Sequence, residues 1–98
     1  MRITGITPSP EPCAEAGWHA SQYQLDGAVT RELIIALRPL GSLLLMDNLR
    51  QPFFKIENHH YMLKGMLGDN SIRVAVHRDH EEETQLIKQL INNYEATS

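Results

Sequence analysis

Residues 52–78 read PFFKIENHHYMLKGMLGDNSIRVAVHR, three alternating runs separated by turn residues. In Pro52–Glu57, Phe54 and Ile56 share one face of an extended chain, with Phe53, Lys55 and Glu57 on the other. Tyr61, Leu63 and Leu67 alternate against His60, Met62, Lys64 and Met66, and Ile72, Val74 and Val76 against Arg73, Ala75 and His77. A period of two is the signature of a strand with one buried face. Asn58-His59 reads as a two-residue hairpin turn, because Asn tolerates positive φ, and Gly68-Asp69-Asn70 as a second turn. Strands joined so closely pair as an antiparallel meander.

Working back from the meander, Ser42–Asp47 (SLLLMD) is a short strand with apolar residues on both faces, which predicts a place inside the sheet. Ala28–Arg38 reads as a helix: Thr30 can cap it, Glu32 suits its positive end, and Leu33, Ile34 and Leu37 form one stripe. Pro39 disfavours helical geometry at Arg38 and ends it. Trp18–Leu25 is a further strand, and Arg2–Thr7 reads as a short strand or an irregular start. The prolines of Pro8-Ser9-Pro10-Glu11-Pro12 remove amide donors and make a linker, or the lead-in to a weak helix over Cys13–Gly17.

Beyond the meander, Asp79 and Glu82 have capping-box spacing. Leu86, Ile87, Leu90, Ile91 and Tyr94 then mark one apolar helix face. The prediction is an α+β two-layer domain over residues 18–98, preceded by a segment 1–17. Its antiparallel sheet has about five strands in the order β-α-β-β-β-β-α. Two helices, Thr30–Arg38 and His80–Tyr94, pack on one face. This element order is similar to one half of the TATA-binding-protein fold, an architectural likeness that carries no function with it.

Composition bounds the function. An apolar fraction of 42% and a charged fraction of 21% are those of a globular chain. One cysteine, Cys13, can form no intramolecular disulfide, and no secretory apolar stretch follows Met1-Arg2, so a reducing, cytoplasmic setting is expected. The apolar runs Leu33–Leu37 and Leu43–Met46 are far below the ~18–20 residues that cross a bilayer. The net charge of −3 argues against a dedicated nucleic-acid binder. It is unevenly spread: Arg50, Lys55, Lys64, Arg73 and Arg78 make the middle basic, and Asp79, Glu81, Glu82, Glu83 and Glu95 make the tail acidic.

The chemical motifs are weak. His77 ends a strand and His80 starts a helix, so the two share no helix face, and adjacent His59 and His60 diverge on a strand. No metal centre and no cofactor is predicted from that spacing. Ser9, Ser21, Ser42 and Ser71 lack a nucleophile-elbow pattern, and Gly65-x-x-Gly68 sits in a hairpin rather than at a helix start.

What stands out is the sheet face turned away from the helices, carrying Phe53, Lys55, His60, Met62, Lys64, Met66, Arg73 and His77. Large apolar groups among cations there point to a non-catalytic interaction module that self-associates as a homodimer through that face. The rival readings are an ordinary solvated face, and an anion-binding face where Lys55, Lys64 and Arg73 meet phosphates and Phe53 stacks a base. Another alternative is a ligand-binding or enzymatic domain with a pocket between helices and sheet, lined by Trp18, Tyr23 or Tyr61.

Overall fold

A computed structural model describes residues 1–9, 17–46, 48 and 50–95. The alternation of the central runs becomes three strands, β4 (Phe53–Glu57), β5 (Tyr61–Met66) and β6 (Ser71–His77). They are preceded by β1 (Ile3–Pro8), β2 (Trp18–Leu25), α1 (Arg31–Leu37) and β3 (Ser42–Met46), and followed by α2 (Thr84–Asn93). All six strands are antiparallel neighbours in the order β1-β2-β6-β5-β4-β3. The fold is α+β, as expected. The strand in the N-terminal segment is real and closes one edge of the sheet. The weak helix expected to begin at Cys13 falls outside the described residues.

One face of the sheet and the two helices bury the core. Tyr23, Leu25, Phe54, Ile56, Tyr61, Leu63, Ile72, Val74 and Val76 supply the sheet side. Leu33, Ile34, Leu37, Ile87 and Ile91 supply the helix side and are almost completely enclosed. Each such side chain contributes ~1.5–3 kcal/mol by leaving water. Leu67, expected on the core face, packs at its margin. The α2 stripe is narrower than its spacing suggests: Leu90 and Tyr94 are partly buried, and Leu86 points outward, 49% exposed.

The helix ends show what local sequence controls. Thr30 caps α1 as expected, its Oγ1 accepting from Leu33 N at 3.2 Å. After Leu37 the chain tightens into a 3₁₀ turn, Arg38–Leu40, with Pro39 inside it. Gly41 follows because nothing larger fits: a Cβ there would stand 2.4 Å from Glu57 O. The second helix starts differently from its capping-box pattern. His77, not Asp79, caps the 3₁₀ stretch that leads into it, Nδ1 accepting from Asp79 N at 3.1 Å, while α2 itself starts after Glu83 with no side-chain cap. A 3₁₀ stretch, Arg78–Glu83, broken at His80 (φ −130°, ψ 24°), then carries the chain from the sheet to α2. The chain must turn off the end of β6 before it can lie across the core, and this stretch makes that turn.

Two further expectations are corrected. The β4–β5 connection is not a two-residue turn with positive φ. It spans Asn58–His60, no described non-glycine residue has positive φ, and the loop is closed by the Asn58 side chain. Asn58 Oδ1 accepts from His60 N at 2.7 Å and Tyr61 N at 3.0 Å. The apolar strand Ser42–Met46 is not interior. It is the edge strand β3, paired among the described residues with β4 alone.

Candidate functional site

The face opposite the helices is built by strand parity. Phe53 and Lys55 reach it from β4, Met62, Lys64 and Met66 from β5, and Arg73 and His77 from β6. All seven are partly buried. The register brings Lys55 opposite Lys64, Lys64 opposite Arg73, and Arg73 opposite Gln22. Three cations therefore stand in one line across three strands, where like charges repel. Lys55 is offset by Glu57 at 3.5 Å, and Arg73 Nε donates to Ser9 Oγ at 3.2 Å.

The neighbouring line is apolar. Met46 is paired with Phe53 and Phe53 with Met66, while Leu44 stands beside Lys55. Leu44 is 47% and Met46 38% exposed. An open groove of about 500 Å³ crosses the middle of this face, lined by Thr7, Gln22, Phe53, Lys64, Met66 and Arg73, among others. It does not lie between helices and sheet. Tyr23 and Tyr61 are core residues, and Trp18 is on the other face, its ring edge-on to His77 at 5.9 Å. The three aromatics expected to share a pocket are thus divided by the sheet.

Burial pushes the hydroxyls of Tyr23 and Tyr61 above their usual value of 10.0. A side-chain hydrogen bond opposes this in each, from Thr84 for Tyr23 and from Asn58 for Tyr61, and the Glu83 charge adds to the rise at Tyr61. These groups belong to the core and to its rim.

His60 does not sit with the lysines and methionines. From the β4–β5 loop it stacks on His80, ring centroids 3.7 Å apart and planes 12° from parallel. His80 comes from the 3₁₀ stretch, and its ring lies 6.0 Å from that of His77. Glu83, one turn further on, places Oε2 2.7 Å from His60 Nδ1 and 3.2 Å from His80 Nδ1. That oxygen is shut off from solvent and, despite the two short contacts, has no hydrogen-bond partner among the described residues. His60, His80 and Glu83 each place one donor atom within 4.8 Å of the others, the one such group among the described residues.

Reasoning from spacing missed this cluster because its members come from two elements separated in sequence. The signal available was the proximity implied by β5–β6 pairing, which sets His60 O to accept from His77 N at 3.0 Å. His77 itself has another task. Its Nδ1 accepts the Asp79 amide at 3.1 Å, and Asp79 Oδ2 lies 3.6 Å from the same nitrogen.

No helix among the described residues is long and apolar enough to cross a membrane. Comparison of the chain with protein-family models, with curated proteins and with solved structures finds no match. The class the molecule defines is therefore structural: a six-stranded antiparallel sheet covered on one side by two helices, with no helix among the described residues on its other side.

Proposed function

We propose that this chain is a small non-catalytic binding module that self-associates, using the free edge of β3 and the apolar end of the open face beside it. The observation that carries this reading is the contrast between the two edges of the sheet. β1 is blunted: its pairing with β2 is irregular between Ile3 and Gly5, and it ends at Pro8. Such bulges and prolines keep an edge from pairing with another chain. β3 has neither. Its sequence SLLLM contains no charge and no proline, it is paired among the described residues on one side only, and Leu44 and Met46 stand exposed beside the free edge.

A second copy is the occupant that suits this edge. Two β3 strands pairing antiparallel about a two-fold axis would satisfy both edges at once and continue the sheet from one protomer into the next. The Leu44 and Met46 side chains of the two copies would then meet. Stacking the open faces directly would instead oppose two lines of Lys55, Lys64 and Arg73, which like-charge repulsion disfavours. Self-association by the edge keeps those cations and the groove accessible.

Light scattering on the size-exclusion peak tests this. The expected mass is twice 11.2 kDa for the native chain, falling to the single value for Leu44→Lys, which puts a charge beside the free edge. Ile6→Lys, on the opposite edge, leaves the dimer intact. A monomeric native chain, or a Leu44→Lys variant that stays dimeric, sinks the proposal.

A further inference from the structure

The end of the sheet that carries His60 is separate from both the groove and the β3 edge, and its chemistry is different. We infer that His60, His80 and Glu83 form a binding site for a divalent transition-metal ion, with zinc the best-suited. Two imidazoles and one carboxylate are a donor set of nitrogen and oxygen that suits zinc, and three protein ligands leave a fourth position for water or a ligand.

The carboxylate supplies the independent sign. Glu83 Oε2 is excluded from solvent and has no hydrogen-bond partner among the described residues, although two imidazole nitrogens lie 2.7 and 3.2 Å from it. A buried carboxylate oxygen left in this state is destabilising, and a cation at that point satisfies it. Donors held ~2.0–2.1 Å from one tetrahedral ion stand ~3.3 Å apart. The oxygen is already that close to both rings, and the three donor atoms all lie within 4.8 Å. What remains is for the parallel rings to tilt toward each other. Both have room, their side chains being 43% and 35% exposed.

The supports of the site are built into the backbone. Asn58 Oδ1 holds the His60 amide at 2.7 Å, and the non-helical break at His80 swings that ring out of the path to α2 and over His60. His77 is a positioning residue and not a ligand. Its Nδ1 is taken by the Asp79 amide, and its Nε2 lies against Gly17, where a Cβ would be 3.2 Å away. Stacked histidines sharing one carboxylate are thus poised between a folded loop and the start of a helix. Zinc bound there would tie the β4–β5 loop to the segment that leads into α2.

Isothermal titration of the chelator-treated full chain with zinc chloride tests the inference. One ion is expected to bind per chain. His60→Ala, His80→Ala and Glu83→Gln are each expected to weaken binding by at least ~10-fold, and a His19→Ala/His59→Ala double variant, which removes two exposed histidines, to leave it unchanged. Zinc should raise the melting temperature of the native chain but not that of His80→Ala, while the two metal-free proteins melt together. No zinc binding by the native chain overturns the proposal. So does native affinity in His80→Ala, or loss of binding in the His19/His59 variant, which would assign the ion to surface histidines.

Discussion

Leu40 carries a carbonyl that joins the helix layer to the β4–β5 loop, and two donors share it. The residue is 3% exposed, and its oxygen accepts from the Tyr61 hydroxyl at 3.0 Å and from Asn58 Nδ2 at 3.0 Å. Tyr61→Phe removes one donor but leaves the carbonyl paired, so its cost is that of one net hydrogen bond, ~1 kcal/mol. Asn58→Ala removes the other donor together with the acceptor for the His60 and Tyr61 amides. The His60 amide is at the exposed end of the loop and turns to water, which limits the cost to ~1–2 kcal/mol. Only the double variant strips the buried carbonyl of both partners, and the penalty of an unpaired acceptor, ~1–3 kcal/mol, then appears in full.

The double variant is therefore expected to lose about 1 kcal/mol or more beyond the sum of the singles. Urea unfolding of the four proteins measures this. In a domain of this size each ~1 kcal/mol also lowers the melting temperature by ~4–8 °C. Costs that add to within ~0.3–0.5 kcal/mol would show that the two donors do not share an acceptor, and the reasoning would be refuted.

Two other expectations follow from the same core. Gly41→Ala places a methyl 2.4 Å from Glu57 O, a backbone atom that can yield only by distorting the β3–β4 pairing, so a loss of ~1–3 kcal/mol is expected by urea unfolding. Gly5→Ala meets nothing within 4 Å and should cost nothing of that size, and equal losses in the two variants would refute the close-approach argument. The raised hydroxyls of Tyr23 and Tyr61 make stability depend on alkaline pH. The folded chain keeps these protons after the unfolded chain has begun to lose them near pH 10, so their contribution is complete below about pH 10 and is lost as pH rises through the folded values. Urea midpoints from about pH 8 to about pH 11 should fall more steeply for the native chain than for Tyr23→Phe, and parallel curves would refute the shift.

Elements with one buried face were legible from residue types alone. Phe54, Ile56, Leu63, Ile72, Val74 and Val76 are all in the core, as their alternation implied, because a one-residue slip would expose every one of them. Thr30 was legible as a cap because its bond to Leu33 N is formed within one turn. The strand β3 misled for a physical reason. Two apolar faces imply an interior strand when the sheet is covered on both sides, whereas here the open-face leucine and methionine are exposed at an edge. The Asp79–Glu82 spacing fitted a capping box, but the exit from β6 imposed a 3₁₀ turn and gave the cap to His77.

The candidate sites divide in the same way. Phe53, Lys55, Met62, Lys64, Met66 and Arg73 could be grouped on one face by counting in twos, since the pleat alone determines which side each occupies. The pairing of β6 with β2 and β5, the exposed position of β3, and the meeting of His60 with His80 and Glu83 depend on contacts between elements distant in sequence. Periodicity acts within a strand or a helix turn and so determined the faces. Strand order and the path from sheet to helix are settled by burial of the shared core, and only the tertiary structure decided which edge is free and which histidines meet.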